Sequence, residues 1–241
     1  MSASRIVLLR HGQTDFNMQR RFQGRIDKPL NDAGRSQAAG AAGVLVSRLC
    51  EPSAEVGMIA AETHRSYDDG GVRIVCSPLG RARETARILA RVFDIAGYPC
   101  EGPMPDERLT ERFYGTFEGK TYEEIASEQP EAYRVYRETG ECAGAEVERS
   151  EVVGERFRDA VLEAAAACPA DRSLIVVSHG SAIARGIVSL LGLDPSDFNG
   201  LRGVDNCHWS ELVPIAHAKR RGTVSLGWRL AAHNVGVRED V

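Results

Sequence analysis

Three short runs of consecutive, mostly β-branched apolar residues punctuate the chain: Ile6 to Leu9, Ile74 to Cys76 and Leu174 to Val177. A strand carries continuous rather than alternating hydrophobicity when both faces of its sheet are covered, so these runs predict strands of a buried parallel sheet. Between them the apolar period lengthens to that of a helix. After Leu30-Asn31-Asp32, where Asn31 or Asp32 can cap, Ala38, Ala41, Leu45 and Leu49 share one face, and Gly40 and Gly43 predict a close neighbour for that helix. A second helix is expected to open at Ser77-Pro78, with the serine as cap and the proline in the first turn, and to bury Ala82, Ala86, Leu89 and Phe93. Two more follow from Val153, Phe157, Val161 and Ala164 and from Ile183, Ile187 and Leu190, on either side of the third strand. Strands alternating with helices predict a layered α/β fold. Near the end, His208 to Ile215 and Thr223 to Leu230 read as two strands joined by a Lys219-Arg220-Arg221-Gly222 turn.

Two stretches interrupt the alternation. Residues 51–71, with the polar run His64-Arg65-Ser66-Tyr67-Asp68-Asp69-Gly70-Gly71, predict a long surface excursion, and the charged, helix-prone residues 121–148 predict a small cap over the sheet edge. No repeat, linker or composition shift marks a second unit, so residues 1–241 are expected to form one domain.

Composition narrows the function classes. A 43% hydrophobic, 27% charged chain of 241 residues can bury a real core, and its net charge of -4 supplies no general field for nucleic acid or acidic membrane. Any anion must be held locally. Cys50, Cys76, Cys100, Cys142, Cys168 and Cys207 contain no C-x-x-C pair, which argues against zinc or a disulfide scaffold and for a cytoplasmic location. The apolar start is too short for a signal segment and nothing later approaches a membrane span, so the chain is expected to be soluble. Cys207, His208, His217 and His233 match no common metal-ligand spacing, and a Lys219-Arg220-Arg221 tip reads as a solvated turn.

In open α/β sheets, ligands bind beyond the carboxyl ends of the strands. Here the first strand runs into Arg10-His11-Gly12, the second into Ser77-Pro78-Leu79-Gly80-Arg81 and the third into Ser178-His179-Gly180. Each group alone has an ordinary structural explanation, but the three ends together deliver a phosphate-compatible set, with Gly12 and Gly180 expected to let the backbone approach a ligand. Phosphoryl transfer spreads charge over equatorial oxygens, so cationic donors must surround them. Arg10 and Arg81 offer planar forks, His179 a further donor, and a neutral His11 can attack phosphorus without a metal or other cofactor. A leaving alkoxide needs a proton from a carboxylic acid. Glu111, in Leu109-Thr110-Glu111-Arg112-Phe113-Tyr114-Gly115, is the candidate, with apolar and aromatic neighbours expected to favour its protonated form; Glu107 and Glu118 compete, and chemistry alone does not choose.

The set Leu9-Arg10-His11-Gly12-Gln13-Thr14 with Asn17, Phe22-Gln23-Gly24, Pro29-Leu30-Asn31-Asp32-Ala33-Gly34, Ser77 through Ala86, Leu109-x-Glu111-x-x-Tyr114-Gly115 and Val177-Ser178-His179-Gly180 resembles the histidine phosphatase superfamily, which includes cofactor-dependent phosphoglycerate mutases. The resemblance spans nearly the whole chain and implies a three-layer α/β sandwich, with a mixed, mostly parallel sheet between helices. It implies His11 as phosphorylated nucleophile, Arg10, Arg81 and His179 as phosphate pocket, Glu111 as proton donor, and Asn17, Gln23 and Gly24 as phosphate or substrate contacts. It further implies no cofactor and a small phosphorylated metabolite as partner.

Mutases of this family usually carry a smaller threonine-like residue where Gln23 stands, and the basic cluster they use on diphosphorylated substrates is absent from the acidic stretch between Tyr122 and Ser150. Phosphatase activity is therefore expected over the mutase alternative, with a non-catalytic phosphate-binding module as the reading from another class. Where phosphatases of the family often show Gly-Gly-Glu-Ser, this chain has Gly144-Ala145-Glu146-Val147, a departure that leaves the substrate open. Asn206-x-x-Trp209-x-x-Leu212 and Trp228-Arg229-Leu230 through Asn234 resemble the glucosyl-3-phosphoglycerate phosphatase branch, with packing of Trp209 against Trp228 across a hairpin as the structural alternative. Apolar hairpins are also compatible with a homodimer.

Overall fold

The computed structural model describes residues 3–50, 71–220 and 223–237. Six strands, β1 (Arg5–Arg10), β2 (Val72–Cys76), β3 (Cys100–Pro105), β4 (Ser173–Ser178), β5 (Trp209–Arg220) and β6 (Thr223–Val235), form a sheet of order β3-β2-β4-β1-β5-β6. The pairs β1/β4, β2/β4 and β2/β3 are parallel, while β1/β5 and β5/β6 are antiparallel. The expected three-layer, mostly parallel sandwich is what the chain forms.

Burial on both faces explains the continuous apolar runs. Ile6, Leu8, Leu174 and Val176 point into one core with helices α6 (Ser150–Ala167) and α7 (Gly180–Leu190). Val7, Leu9, Ile175 and Val177 point into the other with α2 (Asp32–Cys50) and α3 (Gly80–Ile95). These strand residues are fully buried, each worth about 1.5–3 kcal/mol of transfer free energy, and a one-residue slip of register exchanges the two cores.

Several local expectations change. β3, Cys-Glu-Gly-Pro-Met-Pro, has no strand-like pattern; as an edge strand pairing only β2 it tolerates prolines that an inner strand does not. Ser77 does not cap α3, which starts at Gly80 after Leu79 with no side-chain cap, so Pro78 also precedes the helix. Asn31 does cap α2, its Oδ1 accepting from the Gly34 N–H at 2.9 Å. Gly40 and Gly43 face solvent and touch no neighbouring helix; close packing lies instead at Gly186 against the Phe157 ring and at Gly154 against Ser189 and Pro195. Trp209 and Trp228 do not pack together, because they enter the cores on opposite faces of the sheet. Of the excursion expected at 51–71, residues 51–70 lie outside the described residues, as do positions 221 and 222 of the hairpin turn.

Residues 121–148 carry α4 (Tyr122–Glu128) and α5 (Pro130–Thr139), followed by a 3-10 turn at Ala143–Ala145. Thr121 opens α4 with a reciprocal capping box to Glu124, and Gly140 closes α5 in a left-handed conformation. This segment has its own small core, with Phe22, Phe117, Ile125, Cys142, Ala145 and Val147 buried and Tyr114, Tyr133 and Tyr136 packed against them. A short helix α1 (Asp15–Met18) lies between β1 and α2. Among the described residues no helix is long and apolar enough to cross a membrane.

Candidate active site

His11 is placed by backbone. Its N–H continues the β1/β4 ladder one residue past the strand, donating to the Ser178 carbonyl at 2.9 Å, and its carbonyl accepts from the Asn206 amide at 3.0 Å and from the Cys207 N–H at 3.3 Å. Gly12 is a glycine for a different reason from the one expected. A Cβ there would collide with the carbonyl of Gly34, so the residue lets β1 abut the start of α2 rather than a ligand. A Cβ at Gly180, by contrast, would meet only the Arg10 guanidinium at an ordinary 3.5 Å.

The imidazole of His11 is 3% exposed, and its Nδ1 lies 2.7 Å from the Gly12 carbonyl. A carbonyl cannot donate, so Nδ1 carries the proton and Nε2 is the ring's acceptor nitrogen. Arg81 Nε donates to that nitrogen at 3.2 Å. Desolvation, followed by the positive charges of Arg81 and Arg10, holds the His11 pKa well below the usual histidine value. The ring is therefore neutral at physiological pH.

Arg81 enters from the first turn of α3, fully buried, with its other nitrogens bonded to the carbonyls of Gly24 at 2.7 Å and Ile26 at 3.0 Å. Burial lowers its pKa to about 10, which leaves it charged at pH 7. Arg10 donates to the Val204 carbonyl at 2.8 Å, while its Nε is buried without a protein partner. His179, the residue before α7, packs edge-on against His11 with ring centroids 5.1 Å apart. Its Nε2 lies 2.7 Å from Ser77 Oγ, and its Nδ1 is buried and unpartnered. Desolvation, then the charge of Arg81, lowers the His179 pKa as well. The serine expected to cap a helix thus orients a histidine instead.

Glu111 is nearly buried and is held by backbone donors. Its Oε1 accepts from the backbone N–H groups of Ala182 at 2.9 Å and Arg112 at 2.8 Å, and its Oε2 from Ser181 at 3.3 Å. The carboxylate is thereby docked on the amino-terminal turn of α7, next to His179. Arg156 on α6 fastens the backbone around it, donating to the carbonyls of Arg108, Thr110 and Glu111. Of the three competing glutamates, Glu111 alone lines the cleft with His11; Glu118 accepts from the Arg25 and Tyr114 N–H groups, and Glu107 lies in a 3-10 turn facing another surface pocket.

Arg10, His11, Asn17, Gln23, Gly24, Arg81 and Glu111 all line one cleft of about 650 Å³, with His179 directly behind His11. Asn17 both caps and faces the cleft: it forms a capping box with Thr14 and takes a hydrogen bond from Asn206 at 3.2 Å. Gln23 accepts from Thr14 Oγ1 at 2.9 Å, leaving its buried Nε2 with no protein partner. Gly24 has φ +52, and a Cβ there would strike the Glu118 carboxylate. Arg10 Nε, Gln23 Nε2 and His179 Nδ1 are thus buried polar atoms without protein partners, Arg10 and Gln23 in the cleft wall and His179 against the His11 ring.

The cleft extends past this cluster to residues the sequence did not single out, among them Tyr122, Tyr136, Arg185 and Arg202. The tyrosine-rich stretch of 121–148 and the four-residue spacing from Ser181 to Arg185 were the available signals. No group of His, Cys, Asp or Glu among the described residues is arranged to hold a metal ion: His208 bonds the Asn206 carbonyl, and His233 bonds Ser210 and the Arg202 carbonyl.

The chain matches the family model described as histidine phosphatase superfamily (branch 1) over residues 6–52 and 55–225. It belongs to that superfamily. A glucosyl-3-phosphoglycerate phosphatase of Mycobacterium tuberculosis is 32% identical over 246 residues, covering 99% of this chain and 97% of the relative. A mycobacterial glucosyl-3-phosphoglycerate phosphatase solved with VO3 superposes with a TM-score of 0.74 at 32% identity, over 97% of this chain and 100% of that one. A Yersinia enterocolitica protein named "Probable phosphoglycerate mutase" is 32% identical over 209 residues, covering 86% of this chain and 83% of its own. The phosphatases align end to end where the mutase does not, and the chain is a phosphatase of this superfamily.

Proposed function

We propose that the chain hydrolyses a phosphorylated glycerate bearing a sugar, of the glucosyl-3-phosphoglycerate type, through a phosphohistidine formed on His11. The observation that carries the mechanism is the His11 ring, with Nδ1 tied to the Gly12 carbonyl and Nε2 directed at the guanidinium of Arg81. A phosphate placed there lies in a cleft lined by the Arg10 and Arg81 guanidinium groups and by Gln23, with His179 packed behind His11. His11 Nε2 bonds to phosphorus as the ester P–O bond breaks, and the carboxyl of Glu111 gives its proton to the departing alkoxide. Water then bonds to phosphorus, the P–N bond breaks, Glu111 takes the water proton, and inorganic phosphate leaves.

The substrate class is supported by the full-length likeness to the mycobacterial phosphatases and by the cleft, whose volume exceeds that of a phosphate alone and whose outer wall carries Tyr122 and Tyr136 beside Arg185. Tyrosine faces and hydroxyls suit a sugar ring. Residues 121–148 contribute two of these groups, in the role of a cap over the site. A metabolite-sized partner, a cytoplasmic location and a homodimer belong to the same reading. Hydrolysis favoured over mutation is supported by Gln23 in the cleft and by the absence of any basic side chain from Tyr122 to Ser150 in its lining.

Phosphate release tests the reading, measured on glucosylated 3-phosphoglycerate, 3-phosphoglycerate, glucose phosphates and p-nitrophenyl phosphate. The highest kcat/KM is expected on the glucosylated ester. Release from none of them, or interconversion of 2- and 3-phosphoglycerate faster than release, contradicts it.

A further inference from the structure

Five cationic side chains other than the phosphate-facing Arg10 are available to a ligand along the cleft: Arg20, Arg21, Arg81, Arg185 and Arg202. Most are already neutralised or committed. Arg21 forms a two-point ion pair with Glu124 at 2.6 and 3.1 Å, Arg202 pairs with Asp205 at 3.1 Å, and Arg81 belongs to the phosphate end. Arg20 is exposed and close enough to Glu123 to stabilise its carboxylate.

Arg185 differs from all of these. It is half-buried on α7, and its Nη1 donates to the Pro195 and Phe198 carbonyls and Asn199 Oδ1, which are neutral oxygens. Among the described residues its Nε and Nη2 donate to nothing, and no carboxylate lies within ion-pair distance. Glu141, the nearest acid acting on it, is held at 2.8 Å by Arg112, whose own charge opposes that of Arg185. Desolvation lowers the Arg185 pKa, so a partly dehydrated cation stands in the cleft wall without a counter-ion.

Its place along the cleft is set by the helix. Arg185 follows Ser181 by four residues and so shares its face, and it lies six residues, about 9 Å of helix rise, beyond His179. Its guanidinium is held against residues 195–199 and near Tyr114 and Tyr136, so it stands in the outer part of the cleft, away from His11. Hydroxyl-bearing residues line the same wall: Ser181, Tyr114 and Tyr136, the two tyrosine rings meeting edge-on with centroids 6.4 Å apart.

We propose that Arg185 is a specificity-determining residue that binds a carboxylate of the substrate, selecting phosphoesters of hydroxy acids over phosphoesters of neutral alcohols and plain sugars. The inference rests on the phosphatase reading above and sharpens it, since it names the substrate group that the outer cleft reads. A buried donor left unpaired by a neutral analogue is the usual source of such discrimination.

The test compares 3-phosphoglycerate with glycerol 3-phosphate, which differ in the carboxylate. The wild-type protein is expected to prefer the acid, and Arg185→Gln to reduce the ratio of the two kcat/KM values by about tenfold to a hundredfold, the range of a charge-assisted hydrogen bond. Arg185→Lys should restore part of that ratio. Because Arg185 also ties down residues 195–199, a second measurement uses the unmodified protein: glycerate, and not glycerol, should compete with p-nitrophenyl phosphate. A ratio unchanged in Arg185→Gln, or glycerate no more inhibitory than glycerol, overturns the assignment while leaving the phosphatase intact. Absence of hydrolysis of every ester in the wild-type protein overturns the reading beneath it.

Discussion

The two ends of the cleft are built differently. At the inner end, His11, Arg81, His179 and Glu111 are 9% exposed or less and are held by main-chain bonds from strand ends and helix starts. At the outer end, Tyr122, Arg185 and Arg202 are partly or largely exposed and come from the added helices, the second turn of α7 and a loop. Charged groups used in bond breaking must be fixed and dehydrated, which a sheet edge does well, whereas groups that only recognise the rest of a molecule can change without disturbing that edge. In the proposed reading, chemistry is thereby separated from selection along a single groove.

The sharpest way to break this division is at the nucleophile. His11→Ala should lower kcat by at least about 10⁴-fold on every ester while thermal unfolding shows the protein still folded, because the loss is of a covalent step rather than of packing. Glu111→Gln comes next and depends on the leaving group. Alkyl phosphates should slow by about 10² to 10⁴-fold and p-nitrophenyl phosphate, whose leaving group needs no proton, far less; equal slowing removes the proton-donor role. Arg81→Lys should cost about 10²- to 10³-fold, since an ammonium cannot keep the carbonyls of Gly24 and Ile26 and still offer a fork to phosphate; full activity would show that a point charge suffices.

The smallest expected effect is in stability. His11 and His179 have pKa values depressed by folding, so above pH 6.5 they are neutral in both states and contribute no pH dependence. Below it the unfolded chain binds protons that the folded one excludes, and stability should fall by up to about 1.4 kcal/mol per pH unit for each histidine. Thermal unfolding between pH 7 and 5 checks this, and His179→Gln should flatten the slope if the inner end is as dehydrated as it looks.

How much of this was readable from residues alone follows the same division. The inner end was legible because strands buried on both faces leave a clear apolar signature, and β1 and β4 each stop one residue before a candidate site histidine, His11 and His179. Glu111 was harder to choose by chemistry, since what distinguishes it from Glu107 and Glu118 is a long-range bond to α7 that no local pattern encodes. Ser77 was misread for a related reason: a serine before a proline looks like a cap, and only the approach of β4 to β2 brings His179 to it. β3 was invisible because its prolines and glycine suit an edge and resemble a loop. The outer end could not be assembled, because Arg185 meets residues 195–199 and Tyr136 only in the folded chain, and no local pattern encodes those meetings.

The central claim is a covalent bond between phosphorus and His11 Nε2. Rapid mixing with ester carrying radiolabelled phosphate, quenching in alkali and peptide mapping should recover an acid-labile, alkali-stable label on the peptide that contains His11, formed and lost at the rate of turnover. Label on another residue, or turnover with no label in Glu111→Gln protein assayed under the same conditions on an activated ester, would contradict the account.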